Sequence, residues 1–251
     1  TVHIAGTNGK GSTLKMLEGM LLPGGWRVGS FLSPYLVDFR ERIQLCGRMI
    51  EPRALAGVVE KTAAAAAGME ESPGEFEALT AAALLFFAQS GCDLVLLEAG
   101  LGGGHDATNV IDPPLLAVFT PIGLDHVEVL GGSIPEIARE KCGIIKPGSV
   151  VLSSCGQPLE AVMEIMKAAA RQGDKFLMPG RRSVQLVESG LWGSRVRRGG
   201  ELWQIPLVGA HQVDNFLTAL AAAEQLEQMG YGVLPGRRAL GLAGVRMPAR
   251  M

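Results

Sequence analysis

Short apolar runs alternating with helical patterns constrain this chain more than any other feature. VHIA at 2–5, DLVLLE at 93–98, LLAVFT at 115–120 and VVLSS at 150–154 are short and almost free of charge. A strand that reads as a continuous apolar run is covered on both faces, as parallel strands between helical layers are. Helices are predicted at 11–22, with Leu14, Leu17, Met20 and Leu21 on one side, and at 52–67, 76–90, 134–141 and 215–229. WRVGSFLS at 26–33 reads as a further strand, and PYLVDFRERI at 34–43 as an irregular charged segment. The expected fold is α/β, a mainly parallel, doubly wound sheet. Residues 184–206 change character, and their alternating segments with Trp and Arg predict a small antiparallel β layer.

In an open parallel sheet, ligands bind beyond the carboxyl ends of the strands, where helix N-termini gather. The first such end carries GTNGKGS, residues 6–12. Gly6, Gly9 and Gly11 let the backbone curl around an anion, and the N–H groups opening the next helix supply donors. Lys10 brings a mobile positive charge for β- and γ-phosphates, and Ser12 a hydroxyl for a Mg²⁺. The common loop G-x-x-x-x-G-K-[ST] is not met, because Ile4 stands six residues before Lys10 and Gly11 follows it. A Gly-rich turn with an incidental lysine fits the same letters. Other positions are equally open. Glu98, before Gly100, Gly102 and Gly103, fits a holder of a metal or its water, or a solvated strand-end acid. His126, after Asp125, fits a structural histidine as well as a ligand. Lys141 reads as a surface lysine set against a helix dipole, Asn215 as an N-cap and Phe76 as core.

The variant loop GTNGKGS closely resembles that of the folylpolyglutamate synthase and dihydrofolate synthase family, relatives of the Mur ligases. The likeness continues in order along the chain: LSPYLVDFRERI, LLEAGLGGGHDATNV, TPIGLDHVEVLGGSIPEIAREKCGIIKPG, LVGAHQVDN and MPARM. It implies a P-loop-type site in a Mur-ligase-type ATP-binding central domain over residues 1–248, without its N-terminal lead-in. Residues 249–251 would then begin the hinge to an absent glutamate-binding domain. Thr7, Asn8, Gly9, Lys10, Gly11, Ser12, Asn215 and Arg250 are implied to bind ATP. Ser33, Glu98 and His126, with Ser12 and a carbamylated Lys141, are implied to hold two Mg²⁺ ions. Lys10, His126 and Lys141 would be the catalytic residues, and Phe76 and Asp106 would hold the pteroate or folate. Tyr35 replaces the histidine that usually follows the Ser-Pro pair, Gly104 an arginine, Ala249 the glycine of P-G-R, and Gly74 a common threonine. These departures leave the metal and phosphate ligands intact and bear on which pterin substrate binds.

The implied activity is ATP-dependent addition of L-glutamate to dihydropteroate or a folate. The alternatives are a Mur ligase acting on a UDP-sugar peptide and a nucleotide-binding module without ligase activity. A net charge of −2 argues against a nonspecific nucleic-acid surface. The apolar stretch at 79–88 is too short for a membrane span, and no signal peptide is visible. Cys46, Cys92, Cys142 and Cys155 form no C-x-x-C pair, the pattern of cytosolic thiols. A cytoplasmic monomer with small-molecule substrates is expected.

Overall fold

The computed structural model describes residues 1–247. The phosphate-loop unit comes first, as β1 (Val2–Ala5), α1 (Lys10–Leu21) and β2 (Val28–Phe31). A short hairpin, β3 (Ile43–Leu45) and β4 (Arg48–Met49), leads to α2 (Pro52–Ala66), α3 (Glu75–Gln89) and β5 (Leu94–Glu98). Next come β6 (Leu116–Phe119), the single-turn α4 (Val127–Leu130), α5 (Ile134–Lys141), β7 (Val150–Ser153), α6 (Leu159–Gln172) and β8 (Lys175–Leu177). The chain then forms β9 (Gln185–Gly190), β10 (Gly193–Arg198) and β11 (Glu201–Ile205), followed by α7 (Gln212–Gln228) and α8 (Pro235–Ala243).

Eight strands lie in the order β4-β3-β2-β5-β1-β6-β7-β8, parallel from β2 to β8, with β3 and β4 antiparallel at one edge. β1 is central, with Val2 in register with Leu96 of β5 and Leu116 of β6. From β1 the chain winds outward through α1 to β2, and from β6 it winds the other way to β7. The turns after β1 and β6 therefore leave the sheet as neighbours at its switch point, where a crevice opens. The three-stranded antiparallel layer β11-β10-β9 confirms the change of character read at 184–206.

One face of the sheet, through Val2, Ile4, Leu96 and Val118, packs on Leu14 and Leu17 of α1, Phe216 and Leu220 of α7, Leu242 of α8 and Trp203 of β11. The other face carries two clusters. Ala5, Phe119 and Val151 meet Ile137 and Ile165, while Phe31 and Leu97 meet Val58, Leu79 and Phe87. Each fully buried Leu or Phe contributes about 1.5–3 kcal/mol, so α1 is anchored mainly by its apolar stripe. α1 also meets α8 through bare backbone, since a Cβ on Gly19 would reach the Gly241 carbonyl oxygen at 3.0 Å.

Several elements differ from expectation. α7 begins at Gln212, three residues before Asn215, and α8 follows it as the final helix. The helix α6 and the strands β3, β4 and β8 have no counterpart in the sequence reading. All four cysteines are free, and among the described residues no helix is long and apolar enough to cross a membrane.

Candidate active site

The turn after β1 is tied to the turn after β6. The N–H groups of Thr7 and Asn8 both donate to the Pro121 carbonyl, at 2.9 and 3.2 Å. The Thr7 hydroxyl donates to the Gly123 carbonyl at 3.1 Å and accepts from the Gly123 N–H at 3.0 Å. Gly9 then turns the chain into α1 at φ 82°, a left-handed value that favours glycine. The first helical bond runs from the Thr13 N–H to the Gly9 carbonyl, so the N–H groups of Lys10, Gly11 and Ser12 have no intrahelical acceptor. No side chain caps this end. Lys10 Nζ donates to the Gly6 carbonyl at 3.0 Å and the Thr7 carbonyl at 3.4 Å.

These groups form one wall of a cavity of about 740 Å³. Thr7, Asn8, Gly9, Lys10 and Ser12 line it together with Ser33, Glu98 and Asn215, from four separate segments. Glu98 ends β5, almost wholly buried, and its Oε2 accepts from the Ser33 N–H at 3.2 Å. The Ser33 hydroxyl accepts from Arg42 Nη1 at 3.3 Å. The Arg42 guanidinium lies over the Tyr35 ring, 5.2 Å from its centroid. Glu41 fixes the same loop, its carboxylate accepting from the N–H groups of Leu36, Val37 and Asp38 at 2.9–3.0 Å. These backbone bonds hold the Glu41 carboxyl below its ordinary pKa.

Asn215 sits in the first turn of α7 and is not its N-cap, which is His211. Its Nδ2 donates to Gln212 Oε1 at 2.9 Å, and its amide packs so tightly on Gly9 that no Cβ fits there. His211, Gln212 and Pro121 also line the cavity and were not singled out from sequence, although GAHQVDN contains the first two.

The remaining sequence-predicted residues lie off this wall. Gly11 is buried in the first turn of α1. His126, the left-handed N-cap of α4 (φ 47°), points a side chain that is 57% exposed, with Nε2 3.7 Å from an Asp125 oxygen. Lys141 is buried at the end of α5, not a surface lysine, and the Gly103-Gly104 backbone packs against the main chain there, where Gly104 N–H donates to the Glu140 carbonyl at 3.0 Å. Burial, aided by the charge of Lys10, lowers its pKa from 10.5 to about 8 against the opposing pull of Asp125, Asp106 and Glu140. Asp106 lines a second cavity, of about 610 Å³, between α3 and residues 104–110. Phe76 packs on Phe31 with ring centroids 5.7 Å apart and borders Gly100. Arg250 lies outside the described residues.

Among the described residues, no group of three or more His, Cys, Asp and Glu side chains could hold a metal by itself. One buried carboxylate with the hydroxyls of Ser33 and Ser12 on the same cavity is nevertheless an oxygen set that suits Mg²⁺, which commonly completes its shell with water and phosphate.

The sequence pattern of the family described as "Mur ligase middle domain" matches residues 4–223. The chain belongs to the Mur ligase family. This Mur ligase middle domain is 38% identical over 237 residues to the dihydrofolate synthase/folylpolyglutamate synthase of Bacillus subtilis (strain 168), covering 90% of this chain and 55% of that protein. It is 33% identical over 262 residues to the folylpolyglutamate synthase of Lacticaseibacillus casei, covering 100% of this chain and 61% of that protein. The chain thus spans little more than half the length of these relatives. Among solved structures it superposes on an FPGS-AMPPCP complex with TM-score 0.90 and 32% identity, over 99% of this chain and 64% of that one. The likeness to an FPGS-AMPPCP-folate complex has TM-score 0.87 and 31% identity, over 99% of this chain and 63% of that one.

Proposed function

We propose that this chain is the ATP-binding core of a ligase that joins L-glutamate to dihydropteroate or a folate, forming ADP and phosphate. One observation carries the reading: α1 opens uncapped into a cavity whose far wall presents buried Glu98 and the Ser33 loop. The names of the relatives and the AMPPCP complexes support it.

The triphosphate would lie on the unpaired N–H groups at the start of α1, favoured also by the helix dipole. Lys10 Nζ would exchange two neutral carbonyl acceptors for phosphate oxygens, a stronger charge-assisted bond. Asn215 and His211 would border the nucleoside. When bound, Mg²⁺ would be held by Glu98 with the hydroxyls of Ser33 and Ser12, with His126 and a carbamylated Lys141 as further ligands, and would neutralise charge on the transferring phosphoryl group. Carbamylation requires a neutral amine, and a pKa of about 8 leaves roughly a tenth of Lys141 neutral at pH 7. Asp106 would hold the pterin end of the substrate, with Phe76 beside it.

A substrate carboxylate attacks the γ-phosphorus, releasing ADP and becoming an acyl phosphate. The glutamate amine then displaces phosphate to form the amide. Lys10 serves the first step by meeting charge on the transferring group. The test is ADP release by the complete natural polypeptide with dihydropteroate and glutamate, then with a folate and glutamate. Lys10→Ala should lower turnover at least 100-fold, and near-normal activity in that variant would refute the assignment.

A further inference from the structure

His3 sits in the middle of β1, wholly buried, on a sheet face that is otherwise apolar beside it. Its row neighbours are Leu97 of β5 and Ala117 of β6. A leucine would fill such a position, so a polar ring there needs a bond that repays its burial. The bond goes to Thr108, 105 residues away in sequence: His3 Nε2 lies 2.7 Å from Thr108 Oγ1. Thr108 is likewise wholly buried, and its hydroxyl donates a short bond to Asp106 Oδ1.

The direction of this relay is fixed by what each group can give. A carboxylate only accepts, so the single hydroxyl proton of Thr108 goes to Asp106. Thr108 Oγ1 must then accept from the imidazole, which places the ring proton on Nε2 and leaves Nδ1 bare. Nδ1 is buried and has no hydrogen-bond partner among the described residues, in accord with that tautomer. Burial and the charge of Lys146 hold the His3 pKa down at about 3, so the ring remains a neutral donor at ordinary pH.

The Asp106 turn does not need His3 to close. The Thr108 N–H already donates to Asp106 Oδ1 at 2.9 Å, and Lys146 Nζ grips the Asn109 carbonyl at 2.8 Å and the Ile111 carbonyl. Asp106 Oδ2 accepts from the Leu101 N–H at 2.8 Å. His3 adds a tie from the strand that carries the phosphate loop to the rotamer of the Thr108 hydroxyl, and through it to the carboxylate on the second cavity.

We propose that His3 is a positioning residue: its Nε2–H orients the Thr108 hydroxyl, which aims the Asp106 carboxylate at the pterin-bearing substrate. This rests on the reading of Asp106 given under Proposed function. The complete natural polypeptide, with AMPPCP present, is titrated with dihydropteroate by calorimetry. His3→Leu should weaken dihydropteroate binding 5- to 20-fold while the AMPPCP dissociation constant stays within twofold. His3→Gln, whose amide N–H can replace Nε2–H, should restore affinity to within threefold of wild type. In a Thr108→Val background, His3→Leu should add no further loss, because the relay is already cut. Wild-type affinity in a folded His3→Leu protein, or fully additive losses in the double variant, overturns the proposal. The ¹⁵N spectrum of the unsubstituted protein gives a readout free of substrate, and it should show a protonated Nε2 and a bare Nδ1. A proton on Nδ1 overturns the relay whatever the variants do. A wild type that binds no pterin defeats the reading of the site, and the nitrogen spectrum still decides the His3 bond.

Discussion

Lys141 is a buried cation whose charge the fold disfavours, and replacing it by methionine should stabilise the protein in a pH-dependent way. Its pKa falls from 10.5 in the open chain to about 8 in the folded one, chiefly through burial. The residue is only 5% exposed, so solvent screening discounts the effect little. A shift of that size corresponds to about 3 kcal/mol against the charged folded state. Between about pH 8 and 10.5 the unfolded chain binds more protons than the folded one, so stability rises with pH through that window. Below about pH 8 the folded state bears the whole cost. Lys141→Met keeps the length and removes the ammonium. It should be about 2–3 kcal/mol more stable than wild type at pH 7, with the difference closing by about pH 10.5. Urea unfolding at stepped pH measures this, in buffers purged of carbon dioxide so that carbamylation does not consume the amine. A variant less stable at pH 7, or a difference that ignores pH, would refute the reasoning.

Three further outcomes follow from the geometry. Gly9→Ala forces a side chain into the left-handed region and onto the Asn215 amide, so it should weaken AMPPCP at least tenfold and cost about 1–2 kcal/mol; calorimetry and thermal unfolding check both. The Glu41 carboxyl is held below its ordinary pKa of 4.5 by its three backbone donors, so the loop it fixes is intact above that value and loosens as pH falls through the folded one. The amide proton shifts of Leu36, Val37 and Asp38 should titrate together in acid, and Glu41→Gln should abolish that shared transition. Leu17→Ala, at a wholly buried position of α1, should cost about 2–5 kcal/mol in urea unfolding with the m-value unchanged.

The core of the fold was legible because its signals are local. VHIA, LVLLE and LAVF are buried on both faces and read so, and the antiparallel layer announces itself through alternation. What stayed hidden depends on partners. β4 has two residues and β3 and β8 three each, and they exist only by pairing with an edge. α6 is different: its buried stripe of Ala161, Glu164, Ile165 and Ala169 has a clear helical period, and that local signal was passed over. α8 is fixed to α1 through Gly19 and Gly241, a close approach that glycine letters alone do not reveal. Lys141 shows the same limit in the site. Its place at a helix end was correct, but its burial was not, and the glycine-rich backbone packed against that helix end comes from residues 103–104, which cannot be read from α5.

The shortened phosphate loop follows from the same long-range ties. A loop of the common spacing has more residues between strand and lysine with which to wrap an anion. Here two of the few available amides, those of Thr7 and Asn8, are given to Pro121, and the Thr7 hydroxyl is given to Gly123. The donors left for a phosphate are therefore those that open α1, and the loop gains in exchange a rigid join to the turn after β6. The spacing to Glu98 is set on the other side of β1, where Ile4 stands in register with Glu98 of the neighbouring β5. A chain in which Thr7 could not hold Gly123 would keep its lysine and its glycines and still lose a join between this loop and the turn after β6. The motif is thus defined as much by residues 121–123 as by its own seven letters.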